Sequence, residues 1–152
     1  MEINLTDMIS DIVRRLEPIA KSKNINLNYN KLKAVKAEIE ETKFSLAVSN
    51  LIENAIKYNN DGGNVEVTVD ADNQNAFVTI ADDGVGIAEE ELGKIFDRFY
   101  RVDKNRDRES GGTGLGLSIA RSAVLMHNGT IKVSSKENEG TTFVIIIPLK
   151  QE

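Results

Sequence analysis

The sequence predicts a two-layer α/β (α+β) sandwich, with a mixed, mostly antiparallel sheet and three main helices on one face. Three observations predict it. Amphipathic patterns of helical period and alternating patterns of strand period take turns along the chain, as helix, strands, helix, strands, helix, strands. The alternating runs are short and bounded by turn residues, as antiparallel neighbours require. The 152 residues, 40% hydrophobic and 28% charged, suit one core, and no repeat or proline-rich linker divides them.

The first helix pattern covers residues 7 to 21, with Met8, Ile9, Ile12, Val13, Leu16 and Ile19 at three- and four-residue steps. Thr6 is its predicted N-cap, and Pro18 predicts a kink or an early end. Ile25 to Tyr29 alternates like a strand, and Lys33 to Ala37 is a weaker strand candidate. Residues 41 to 58 form a second helix, whose apolar stripe includes Phe44, Ala47, Val48, Leu51, Ile52, Ala55 and Ile56. Asn59-Asn60-Asp61-Gly62-Gly63 stops it with turn chemistry. Val65, Val67 and Val69 alternate, and Phe77-Val78-Thr79-Ile80 follows a polar turn, so this pair reads as a hairpin. Residues 84 to 112 are polar and glycine-punctuated, with one short helical stretch around Glu89 to Phe96. A third helix is expected from about Gly114 to Met126, then two closing strands, Thr130 to Ser134 and Thr141 to Pro148.

Composition removes several function classes. A net charge of -5 supplies no basic field for nucleic acid. The absence of cysteine removes disulfide and thiolate chemistry and fits a reducing compartment. No apolar run approaches the roughly 18 residues of a membrane span, and the first residues lack signal-peptide character. The chain is expected in the cytoplasm, within a parent protein that a membrane segment elsewhere could anchor.

Three features carry candidate chemistry. Asn50, Asn54 and Lys57 fall on one face of the second helix, at steps of four and three. Amides compete for backbone hydrogen bonds and are unusual in mid-helix. The face is either a solvated stripe or a site where amide oxygens ligate Mg²⁺ and a lysine meets phosphate. Asp82-Asp83-Gly84-Val85-Gly86-Ile87 directly follows a strand. It is either an acidic turn or a carboxylate that accepts from a ligand amine where glycines let backbone approach. Gly111-Gly112-Thr113-Gly114-Leu115-Gly116-Leu117 opens the third helix, where exposed N–H groups bind phosphate well. This run nearly matches the P-loop, but Leu117 stands where that motif needs lysine. The paired-glycine dinucleotide fingerprint and the eukaryotic-type kinase motifs are absent as well.

Together these residues resemble the catalytic domain of sensor histidine kinases, within the superfamily of gyrase B, Hsp90 and MutL. Asn50 to Tyr58 resembles the family's N box, Asp82 to Ile87 its first glycine box, Ile95 to Arg101 its F box, and Gly112 to Leu117 its second glycine box. Gly140-Thr141-Thr142-Phe143 resembles a further short glycine motif. The resemblance implies a Bergerat-type fold that binds ATP and Mg²⁺. It implies that Asn54 ligates Mg²⁺ with Asn50 in support, that Lys57 contacts phosphate, and that Tyr58 packs near adenine. It gives Asp82 the adenine amino group, with Gly84, Gly86 and Ile87 under the nucleotide. Arg101 would contact the γ-phosphate. Asp97 to Thr113 would form a mobile lid. Its residues 103 to 112, with mixed charges and few large apolar side chains, are either a solvated loop or a segment ordered by a γ-phosphate. Gly112, Thr113, Gly114, Leu115, Gly116 and Leu117 would hinge it and present N–H groups to phosphates.

Asn50 separates branches of that superfamily. The ATPases are expected to carry a glutamate there as base for water, and an asparagine cannot take a proton. Glu53 lies roughly 100° around the helix from Asn54 and is the poorer base. The resemblance thus implies transfer to a protein: to a histidine on a separate phosphoacceptor hairpin of the same parent, then on to a response regulator. The only histidine, His127, ends the third helix before Asn128-Gly129, where it reads as a helix-terminal residue in a favourable dipole. The whole chain is therefore expected to be one catalytic domain without its phosphoacceptor hairpin, monomeric, and unable to phosphorylate itself in the usual way. An anti-sigma-type serine kinase, against which Phe96 to Arg101 speaks, and a nucleotide-sensing module are the competing readings.

Overall fold

The computed structural model describes residues 2–96 and 116–149. In chain order the elements are β1 (Glu2–Asn4), α1 (Leu5–Ser22), β2 (Asn26–Lys31), β3 (Lys36–Glu38), α2 (Glu41–Lys57), β4 (Asn64–Ala71) and β5 (Asn75–Asp82). A single 3₁₀ turn (Glu89–Glu91), α3 (Gly116–Met126), β6 (Thr130–Lys136) and β7 (Gly140–Pro148) complete them. The main sheet has the order β2-β4-β5-β7-β6. Only β2 and β4 run parallel, and the other neighbours are antiparallel. The mixed, mostly antiparallel sandwich expected from the sequence is the fold.

Alternation explains the layering. Val65, Val67 and Val69 of β4, Ala76, Val78 and Ile80 of β5, and Phe143, Ile145 and Ile147 of β7 are all buried. Every second residue on these strands therefore faces the helices. The apolar stripe of α2, with Phe44, Val48, Leu51, Ile52 and Ile56 almost fully buried, lies against β4 and β5 and is flanked by α1 and α3. These residues form one continuous core.

Several local expectations are corrected. Asn4, not Thr6, caps α1: its side chain accepts from Asp7 N at 3.0 Å. Thr6 lies inside the helix, buried. Its hydroxyl donates to Lys33 O (2.9 Å) and accepts from Val35 N (2.8 Å), which pins the segment after β2 to the helix. Pro18 does not end α1, which runs on to Ser22. Pro18 is exposed, so the carbonyl it leaves unpaired can turn to water, while buried Leu16 and Ala20 hold the helix on either side. The weaker strand is only Lys36–Glu38, and it pairs with β1 in a separate two-stranded ribbon rather than in the main sheet. β1 has no counterpart among the expected elements, because three residues carry no readable period. The helical stretch expected over Glu89 to Phe96 shrinks to the one 3₁₀ turn. The β4–β5 hairpin is as expected, closed by Asp72, whose carboxylate accepts from Gln74 N and Asn75 N, both at 2.8 Å. Among the described residues no helix is long and apolar enough to cross a membrane.

Candidate nucleotide site

The helix-facing alternation of three strands changes from apolar to polar at one end of the sheet. Val78 and Ile80 lead to Asp82 on β5. Phe143 is preceded by Thr141 on β7, and Ile131 and Val133 lead to Ser135 on β6. The register aligns Asp82 with Thr141, and Thr141 with Ser135. One polar row thus crosses three strands on the side that otherwise holds the core.

Asp82 ends this row half-buried. Its Oδ1 accepts from Gly84 N (2.9 Å) and Thr141 N (3.3 Å). Among the described residues Oδ2 has no hydrogen bond and is the open acceptor. Burial pushes the Asp82 carboxyl above its ordinary value. The Gly84 and Thr141 N–H groups pull it back, and the neighbouring Asp83 charge adds to the rise. Asp83 moves the other way. It accepts from Asn64 N (2.7 Å) and Asn64 Nδ2 (2.9 Å), and these bonds, with a further one from Asn59, lower its carboxyl. Adjacent aspartates therefore separate: Asp83 ties the turn to β4, and Asp82 keeps one oxygen without a hydrogen bond among the described residues.

The glycine turn positions α2. A Cβ on Gly84 would lie 2.7 Å from Tyr58 O, and Val85 N donates to that same carbonyl at 3.2 Å. The C-terminal end of α2 is thereby held against the end of β5. Gly86 has φ +71°, and a Cβ there would run into the carbonyl of Lys136. Packing against the β6–β7 hairpin alone requires glycine at this position. Its presence therefore does not by itself point to a ligand. Ile87 N donates to Ser135 Oγ at 2.8 Å, a second tie between turn and hairpin.

On α2, Asn50, Asn54, Lys57 and Tyr58 are half-buried, while Glu53 is exposed. Asn50 Nδ2 donates to Gly116 O (3.4 Å), which leaves its amide oxygen available and joins α2 to the first residue of α3. No hydrogen bond engages the Asn54 side chain among the described residues. Lys57 Nζ lies 5.4 Å from the centre of the Tyr58 ring. Among the described residues no group of three or more His, Cys, Asp or Glu could hold a metal. The donors on this face are amide oxygens, which fit an ion that completes its shell with water and phosphate oxygens.

Of the residues named from sequence, Asn50, Asn54, Lys57, Tyr58, Asp82, Gly84, Gly86, Ile87 and Gly116 fall on the three segments these contacts join: α2 with its cap, the end of β5 with the turn after it, and the start of α3. Leu117 packs its side chain against the core. Arg101, Gly112, Thr113, Gly114 and Leu115, and the expected lid from Asp97 to Thr113, lie outside the described residues. Phe96, at the edge of that segment, stacks edge-on against Phe143 with centroids 6.1 Å apart. For the site, sequence reasoning named Thr141 only within the Gly140 to Phe143 motif and did not name Ser135. The signal was present: each breaks an apolar alternation at the end of the sheet that Asp82 also marks.

His127 belongs elsewhere. Its Nε2 accepts from Glu40 N (2.8 Å), so the ring proton sits on Nδ1, which donates to Ala123 O at 2.6 Å. The ring also meets Phe44 edge-on, with centroids 5.4 Å apart. His127 is thus the helix-terminal residue expected, its Nδ1–H directed at a last-turn carbonyl of α3, and it also bridges the start of α2 and the end of α3. An open groove of about 510 Å³ runs beside it, between β3, the first turn of α2 and Met126, at the opposite end of α2 from Asn54 and Asp82.

Sheet, helices and polar row define a Bergerat-type α/β sandwich, the class anticipated from the motifs. Residues 39–151 match the family described as histidine kinase-, DNA gyrase B- and HSP90-like ATPase, and the chain belongs to that family. It is homologous to sensor histidine kinases. It is 43% identical over 117 residues to the sensor histidine kinase WalK of Bacillus subtilis, covering 76% of this chain and 19% of WalK. It is 39% identical over 146 residues to the sensor histidine kinase RppB of Synechocystis, covering 95% of this chain and 32% of RppB. The chain thus spans about a fifth to a third of these relatives. The nucleotide-free catalytic domain of the histidine kinase ThkA superposes with a TM-score of 0.86 at 28% identity, over 99% of this chain and 98% of that one. ThkA in complex with the response regulator TrrA superposes as well, with a TM-score of 0.81 over 42% of the ThkA chain.

Proposed function

We propose that this domain binds Mg-ATP and donates the γ-phosphoryl group to a histidine on a separate phosphoacceptor domain of its parent, which then supplies a response regulator. The observation that carries this reading is the open Oδ2 of Asp82, held in place because Oδ1 is spent on two backbone N–H groups. A carboxylate oxygen so fixed accepts from the exocyclic amine of adenine and opposes the carbonyl that guanine carries there. Tyr58 borders this end through its carbonyl, which the glycine turn holds. The ThkA complex with a response regulator supports the downstream partner by analogy.

Asn54 and Asn50 would hold Mg²⁺ through their amide oxygens, and Lys57 would hold a phosphate oxygen. The ion, when bound, neutralises the charge that builds on the phosphate oxygens during transfer. The protein's part is positioning and charge stabilisation. Asn50 matters by what it lacks. An amide cannot take a proton from water, so hydrolysis has no base at this position, and the exposed Glu53 points to another side of the helix. The attacking nitrogen would come from the partner histidine, forming a P–N bond as the bond to the ADP oxygen breaks. Arg101 is assigned to the γ-phosphate on the resemblance alone.

The test is phosphotransfer in trans. The domain is mixed with a purified histidine-bearing hairpin of its parent and γ-labelled ATP, and acid-labile label is followed on the hairpin. Label on the hairpin supports the reading. Release of free phosphate at the same rate without hairpin would mark an ATPase, and label on serine a different kinase.

A further inference from the structure

Ser135 sits one strand beyond Thr141 and two beyond Asp82, and its hydroxyl is fully engaged. It accepts from Ile87 N at 2.8 Å and lies 2.9 Å from Gly140 O and 2.7 Å from Thr141 Oγ1. A serine hydroxyl has one proton. The Gly140 carbonyl has none to offer and can only accept. If the Ser135 proton goes to Gly140 O, the 2.7 Å contact needs a proton from Thr141. Thr141 is then turned: its only hydroxyl proton points along the row to Ser135, away from Asp82.

We infer that Ser135 is a positioning residue for base specificity, because it fixes the Thr141 hydroxyl as an acceptor beside the open oxygen of Asp82. This rests on the proposed adenine site and deepens it. Asp82 and Thr141 are cross-strand partners by register, with side chains on the same face, and with the threonine proton held by Ser135 the free Asp82 oxygen and the Thr141 hydroxyl both present lone pairs only. A free threonine hydroxyl would rotate and donate to a carbonyl as readily as it accepts from an amine. Two fixed acceptors suit a ligand edge that offers amine hydrogens, directly or through a water. They oppose an edge that offers a carbonyl oxygen, which has no proton to share with either. The chemistry read is thus the six-position of a purine, amine against carbonyl, and Ser135 reads it without facing the ligand.

The test is calorimetric titration of the domain with ATP and with GTP, each with Mg²⁺. In Ser135→Ala the Thr141 hydroxyl is released and the ratio of ATP to GTP affinity falls about tenfold, the weight of one misdirected hydrogen bond. Ser135→Thr, which keeps the hydroxyl, retains the wild-type ratio. In a Thr141→Val background the Ser135→Ala change shifts the ratio no further. A purely structural serine would weaken both nucleotides equally, and an unchanged ratio in Ser135→Ala overturns the inference while leaving the adenine site intact. Equal affinity of the wild-type domain for ATP and GTP would instead overturn the adenine reading beneath it. One measurement needs neither substitution nor nucleotide. By NMR the Thr141 hydroxyl proton of the wild-type domain is expected to exchange slowly and to show a cross-peak to the Ser135 β-protons. A rapidly exchanging Thr141 hydroxyl overturns the inference.

Discussion

Asp82→Asn removes one charge and exchanges one oxygen for an NH₂ group, and the structure dictates which. Two backbone donors, Gly84 N at 2.9 Å and Thr141 N at 3.3 Å, converge on Oδ1. The single oxygen of an asparagine must stay there, since an NH₂ group would face both donors. The NH₂ group then replaces Oδ2, the atom proposed to accept from adenine. Amine meets amine, one charge-assisted bond is lost and a partly buried donor is left unpaired. That costs about 1–3 kcal/mol, or roughly 5- to 150-fold in ATP affinity. GTP presents a carbonyl acceptor at that edge, so its affinity holds or rises. Calorimetry with both nucleotides would show the preference narrowing from the ATP side. The fold itself is not weakened, because both backbone bonds survive. Its pH dependence also has a fixed sign. Burial raises the folded-state pKa of Asp82 above the unfolded value. The folded state then holds its proton more tightly, and Asp82 lowers stability as pH rises from the ordinary carboxylate value through the raised one. Asparagine escapes this penalty, so the melting temperature of the variant relative to wild type is expected to climb over that interval. Undiminished ATP affinity in the variant, or a relative melting temperature that falls with rising pH, would refute the reasoning.

Three further outcomes follow from the geometry. Asn54→Ala should abolish Mg²⁺-coupled ATP binding with the melting temperature held or raised, since alanine is the better helix former and no described hydrogen bond is lost; a sharp drop in thermal stability would make Asn54 structural. Gly86→Ala should destabilise by about 2 kcal/mol or more in urea unfolding, because a left-handed φ and a clash with the Lys136 carbonyl act together; a loss of binding with full stability would return the glycine to ligand approach. His127→Ala should cost about 1–3 kcal/mol in the same assay through the stranded Glu40 N–H and the lost ring contact, while label transfer to a hairpin in trans at permissive temperature is retained; loss of label without loss of stability would reopen His127 as a phosphoryl acceptor.

Long periodic elements were readable in the chain because burial imposes their period. α2, the β4–β5 hairpin and β7 announce themselves through Phe44 to Ile56, Val65 to Val69 and Phe143 to Ile147, and each lies where that pattern predicts. The failures share a physical cause, which is that tertiary partners outvoted local propensity. Thr6 is a good N-cap by type, but the Lys33 carbonyl and Val35 N–H took its hydroxyl, and Asn4 two residues earlier did the capping. Pro18 breaks an isolated helix, yet the buried residues on either side keep α1 going. β1 and β3 are too short to show a period and exist through each other.

The site was legible by a different rule. Its residues are those that spoil a pattern: amides on an apolar helix, an acid ending a strand, glycines where a helix begins. That rule singled out Asn50, Asn54 and Asp82 as candidates. It also marked Gly86, whose place is fully accounted for by the Lys136 carbonyl, and Leu117, which faces the core. It undervalued Thr141 and Ser135, because a threonine or serine in a strand spoils little and alternation viewed along one strand cannot show three strands breaking it together. Only the register makes Asp82, Thr141 and Ser135 a single row. Seen as a row, the site has an internal order of protons. Ile87 N–H points into Ser135, the Ser135 proton leaves to Gly140 O, and Gly84 and Thr141 N–H groups point into Asp82 Oδ1; in the proton order inferred above, Thr141 O–H points into Ser135 as well. Donors from the turn and the hairpin are consumed inside the protein, and what remains on the face beside α2 is a set of acceptors. A base that brings its own amine completes such a face, and one that brings a carbonyl does not.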